Sequence, residues 1–114
     1  MAARLESQEL ASRAYERVSR LDEKQLEEIR KVPSRIQASG LGQTLAFYLK
    51  KKEHRKIADA LVFGLPGAGP NALEYLVRLM GDGTSAGQYR VMTRRALAYA
   101  SWLKRFADAR LKGE

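Results

Sequence analysis

The sequence predicts an all-α protein, a compact single-domain bundle of five to six helices over residues 1–114, on three observations. Apolar residues recur at spacings of three and four along most of the chain, as one face of an α-helix requires. Nowhere do Val, Ile, Thr and aromatic residues alternate as a half-buried strand would need. Glycine and proline concentrate in two short segments, GLPGAGPN at 64–71 and GDGTSAG at 81–87, which read as the definite loops. A chain this short buries roughly 60–70% of the surface its unfolded form exposes, enough for one modest core.

Each helix follows from its own pattern. Ala11, Ala14, Tyr15, Val18 and Leu21 share a face and place a first helix over about residues 3–20. Asp22 is the expected N-cap of a second, with Leu26, Ile29 and Ile36 inward, Pro33 ending or kinking it, and Gly40 stopping it near Ser39. Leu41, Leu45, Tyr48 and Leu49 mark a third helix that finishes in Lys50, Lys51 and Lys52. Ile57, Ala60, Leu61 and Phe63 mark a fourth. Pro70 suits the first turn of a fifth, whose expected inner stripe is Leu73, Leu76, Val77 and Met80. Ser85 and Gln88 form a capping-box pattern opening the longest helix, with Tyr89, Met92, Ala96, Tyr99, Leu103 and Phe106 on its core side.

Composition excludes several functions. The absence of Cys removes disulfides, thiolate metal sites and Cys nucleophiles. No apolar run approaches the roughly 18 residues of a membrane span, and the start MAARLESQEL mixes charges where a signal peptide has an apolar core, so a cytoplasmic protein without membrane contact is expected. The single His, His54, lies among basic neighbours that disfavour both its protonation and a bound cation, and reads as one more polar surface residue. Gly67, Gly69 and Ala72 match a dinucleotide fingerprint only formally, because no strand precedes them and Pro70 removes a backbone donor. The close carboxylate pairs, Asp22–Glu23 and Glu27–Glu28, are adjacent in helices and diverge by about 100°. No catalytic residue, metal ligand or cofactor is expected.

Charge is the informative feature. With 21 Lys and Arg against 13 Asp and Glu, the formal net charge is +8, which favours a polyanionic partner. Lys50, Lys51, Lys52, Arg55 and Lys56, less Glu53, account for +4 of it. The negative end of the third helix's dipole explains one or two of these cations, not five. A second set, Arg90, Arg94, Lys104 and Arg105, falls with Ser101 on one stripe of the last helix. Trp102 beside it is expected to be partly buried or at a protein contact. Exposed aromatics interleaved with cations, as single-strand readers carry, are not evident, so the expected contact is to the nucleic-acid backbone with little base preference.

Two segments carry a family resemblance. GLGQTLAFYLKKK, from Gly40 to Lys52, and YRVMTRRALAYASWLKRFADA, from Tyr89 to Ala109, cover 34 of the 114 residues and resemble the small helical subunit of the type III-B CRISPR effector, the Cmr RNA-targeting complex. The resemblance implies a non-catalytic architectural protein that stacks in copies beside other Cmr subunits and helps form a basic channel for guide RNA and target RNA. It implies backbone contacts from Lys50, Lys51, Lys52, Arg90, Arg94, Arg95, Lys104 and Arg105. Base pairing supplies specificity in such complexes while protein grips phosphates. The alternative is a protein-interaction module without RNA contact, which exposed apolar residues at Leu65, Leu97 or Trp102 would support.

Overall fold

The computed structural model describes residues 6–66 and 71–113. Among these the chain is all-α: α1 (Glu6–Val18), α2 (Glu23–Ile29), α3 (Val32–Leu49), α4 (Arg55–Phe63), α5 (Ala72–Leu79) and α6 (Ala86–Leu111), with a 3-10 turn (Lys52–His54) joining α3 to α4. The long α6 is the spine on which α1, α2, α3 and α4 all pack.

Local signals set most boundaries. The Asp22 carboxylate accepts from the Gln25 N–H at 2.9 Å while the Gln25 amide oxygen accepts from the Asp22 N–H, a reciprocal cap that opens α2. Ser85 and Gln88 do the same for α6. The helix expected to run through Pro33 is two helices: α2 closes at Ile29, and Pro33 sits in the first turn of α3, where its missing N–H costs nothing. The expectations about the chain start and Pro70 lie outside the described residues. Asn71 instead caps α5, accepting from the Glu74 N–H at 2.9 Å.

Gly40 breaks α3 with φ of 82° and ψ of 168°, a conformation only glycine adopts readily. The break is held by the Thr44 hydroxyl, which donates to the Gly40 carbonyl at 2.8 Å, and by Tyr89 of α6, whose hydroxyl accepts from the Gly42 N–H at 2.9 Å. Without it, residues 35 and 47 would be about 18 Å apart along a straight helix. In the structure the Arg35 guanidinium carbon lies 4.2 Å from the centre of the Phe47 ring.

The core contains Ile29, Ile36, Leu41, Leu45, Tyr48, Ile57, Leu61, Tyr99 and Leu103, all essentially inaccessible. Tyr99 donates its hydroxyl to the Ala60 carbonyl at 2.8 Å, and burial pushes its phenol well above its ordinary value. A Cβ at Gly64 would overlap the Tyr99 ring, so this glycine closes α4 by allowing close approach rather than by unusual dihedrals.

Two expectations about the core need correction. On α5 the inward residues are Ala72, Tyr75 and Leu79, with Leu76 of the expected stripe half-buried against the core, whereas Leu73, Val77 and Met80 are 55%, 64% and 61% exposed. This helix carries two apolar stripes, so periodicity does not choose between them. The choice follows from the Asp59 carboxylate on α4 accepting the Ala72 N–H at 3.0 Å, together with burial of the large Tyr75 ring. On α1, Leu10 joins Ala14 and Val18 in the core, while Tyr15 is exposed and meets Phe106 edge-on at 5.5 Å.

Candidate nucleic-acid interface

The basic segment is the junction between two helices. α3 ends at Leu49, Lys50 caps it, Lys51 is extended, Lys52 begins the 3-10 turn, and Arg55 and Lys56 open α4. All five cations are exposed, and none makes an ion pair among the described residues. The dipole account therefore covers Lys50 alone. Arg55 and Lys56 stand at the positive end of α4, where the macrodipole opposes them. His54 is not simply another surface polar residue: it is half-buried, with its ring 6.4 Å from Phe47 and 6.0 Å from Tyr48.

Behind the junction lies a buttress that sequence reasoning missed. Arg35 donates through Nε to the Tyr48 hydroxyl at 3.0 Å and through a terminal nitrogen to Glu28 at 3.0 Å, while its planar group covers Phe47. Burial opposes ionisation of Glu28, but the hydrogen bond from Arg35 and the charges of Lys31 and Arg35 outweigh it and hold the carboxyl below its ordinary value. Tyr48 is fully buried, and desolvation pushes its phenol up to about 12. Phe47 remains 41% exposed. The signal for it was present: Phe47 is out of phase with Leu41, Leu45 and Tyr48, so the same periodicity that buries them turns it outward, three residues from Lys50.

The α6 stripe is less uniform. Arg90 and Arg94 are exposed and form no ion pair among the described residues. Lys104 pairs with Asp108 at 3.2 Å, and Asp108 also meets Arg30 at 2.6 Å. Burial works against the Asp108 charge, yet the neighbouring Lys104 and Arg30 hold its carboxyl below the ordinary value. Arg105 lies over the Trp102 ring at 4.9 Å, and Trp102 is half-buried and stacked on Phe106. Arg95 is paired with Glu6 at 3.2 Å. No hydrogen bond or ion pair joins the junction cations to the stripe among the described residues.

Other surfaces offer less. A cleft of about 680 Å³ beside α1 and α4 carries Arg13, Arg17 and Arg95, but Glu6, Glu9 and Asp59 balance them. Among the described residues no group of three His, Asp or Glu is placed to hold a metal, and no helix is long and apolar enough to cross a membrane. Leu65 is buried, and Leu97 and Trp102 are half-buried, so the exposed apolar residues lie elsewhere, chiefly on α5.

Comparison with known proteins gives a consistent result. A family model described as CRISPR-associated protein (Cas_Cmr5) matches residues 6–110. The chain is similar to the crystal structure of a CRISPR-associated Cmr5 family protein from Thermus thermophilus, with 30% sequence identity, a TM-score of 0.78, and coverage of 94% of this chain and 97% of that one. No curated protein matches.

Proposed function

The chain belongs to the CRISPR-associated Cmr5 family, and from that premise we propose that it is a non-catalytic structural subunit of a cytoplasmic type III-B Cmr ribonucleoprotein. In this reading it stacks in copies beside the other subunits and grips the backbone of guide or target RNA. The observation that carries the RNA contact is the α3–α4 junction, where Lys50, Lys51, Lys52, Arg55 and Lys56 are exposed with no carboxylate partner among the described residues. Intramolecular stability does not account for Arg55 and Lys56 at the positive end of α4. A phosphate backbone accounts for all five, through release of its condensed counterions. Arg90 and Arg94 extend the same role, and Lys104 and Arg105 contribute less because each already has a partner.

The test is RNA crosslinking in the assembled complex. Adducts at residues 50–56, abolished by changing Lys51, Lys52 and Arg55 to Glu, support the reading. A complex that retains target RNA unchanged through that substitution, across a salt series, overturns it.

A second reading, a protein-interaction module without RNA contact, is favoured by one observation. Leu73, Val77 and Met80 present an exposed apolar stripe on α5. Serine at all three positions removes little buried surface, so helicity and melting temperature stay near wild type. Loss of incorporation into the complex by that variant, with RNA adducts absent at the junction, selects the module.

A further inference from the structure

The junction places an exposed aromatic ring among its cations, a combination that pure backbone binding does not need. We propose that the exposed part of the Phe47 ring, held by Arg35 and His54, is a stacking platform for an unpaired nucleobase of an RNA strand whose phosphates lie on Lys50 and Lys51. The inference rests on the RNA reading above and sharpens it, from any phosphate backbone to single-stranded RNA.

Four observations carry it. Phe47 is 41% exposed although an apolar core lies directly beneath it, in Tyr48 at 0% exposure. Its ring is held in place: the Arg35 guanidinium sits 4.2 Å from the ring centre, and Arg35 is itself fixed by Glu28 and Tyr48, each at 3.0 Å. His54 lies near-parallel to Phe47 at 27°, with centres 6.4 Å apart in an offset stack, a second neighbour that fixes the ring's orientation beside the basic 3-10 turn. Phe47 and Lys50 are three apart at the end of α3, so ring and ammonium project from one side of the helix.

The chemistry selects the occupant. Every base offers a π-face to an aromatic ring, but in a duplex those faces are covered by neighbouring pairs, so such a platform takes an unpaired base. Cations beside the ring supply the phosphate contacts without sequence preference. An apolar protein surface would cover the exposed part of the ring equally well, but it would leave five adjacent cations desolvated or unpaired at its rim.

Binding of the full-length chain to labelled oligoadenylate, to an abasic ribose-phosphate strand of equal length and to blunt RNA duplex tests the inference by fluorescence anisotropy. Phe47→Ala should weaken oligoadenylate binding about tenfold, and leave the abasic strand and the duplex unchanged. Phe47→Leu, which keeps apolar packing, should behave like the alanine variant, and Phe47→Trp should restore binding. In a Trp102→Phe background, Phe47→Trp supplies the sole tryptophan, whose fluorescence oligoadenylate should quench and the abasic strand should not. Wild-type binding that Phe47→Ala leaves unchanged, or absence of quenching, overturns the platform while leaving the backbone reading intact. A wild-type chain that binds neither strand at low salt overturns the RNA reading itself.

Discussion

The α3–α4 junction clusters five cations within seven residues and the outer stripe of α6 aligns four along one helix face, and folding treats the two sets differently. At the junction all five stay unpaired among the described residues. On α6, Lys104 is drawn to Asp108 and Arg105 onto Trp102, leaving Arg90 and Arg94 near the opposite end of the helix. The difference has a simple origin. Asp108 lies one turn from Lys104 on the same helix and within reach of Arg30, which follows α2. The junction's one acid, Glu53, makes no ion pair with its cations. Charge counted along a sequence is thus an upper bound on charge available to a ligand, and helix packing decides how much of that bound survives.

The largest expected effect separates the two regions directly. Each single-strand phosphate contact contributes about 0.7 to the salt slope, or roughly fourfold in affinity near 0.15 M salt. Neutralising Lys51, Lys52 and Arg55 with glutamine should therefore lower RNA affinity on the order of 50-fold and flatten the slope by about 2. The same change at Lys104 and Arg105 should lower it less than about threefold. Equal losses in filter binding at several salt concentrations would show that pairing on α6 does not subtract charge from the ligand.

A smaller effect runs the other way. Asp108→Asn frees Lys104 and Arg30 without adding a cation. Affinity should rise by about fourfold for each cation that reaches a phosphate, and thermal stability should fall by less than about 1 kcal/mol. An unchanged affinity would place the Lys104 end of α6 away from RNA altogether.

Much of this was legible before folding was known. The caps at Asp22 and Ser85 are set by local chemistry within three residues, and Gly40 was legible as a break, although Tyr89 of α6 helps to hold it. The junction was legible as a charge density. What sequence could not supply was the phase of α5, where two apolar stripes compete and Asp59, thirteen residues away, decides between them. Nor could it supply the partners of Arg35, because the fold at Gly40 brings Phe47 to it from twelve residues away. The mispairing of expectation and structure on α6 is of the same kind: Arg30 reaches Asp108 only once α2 has docked on α6.

Acid titration offers the finest probe of the comparison, because the carboxylates that hold cations in place titrate and the junction has no such carboxylate. Glu28 and Asp108 both have carboxyls below their ordinary values of 4.5 and 3.8 in the folded chain. A depressed carboxyl contributes stability that is fully present above its unfolded value and is lost as pH falls through its folded one. Both groups sit near the surface, so solvent screening keeps each contribution below about 1 kcal/mol. Melting temperature should decline as pH falls below about 4.5, and Glu28→Gln and Asp108→Asn should each make that decline shallower. Glutamine at Lys51, Lys52 and Arg55 should leave the carboxylate-dependent part of the slope in place while easing the general repulsion of a chain of formal charge +8. A junction variant that removes the acid-dependent step as Glu28→Gln does would mean that Glu28 or Asp108 draws on the junction cations after all, and that the free charge there is smaller than the static pairing suggests.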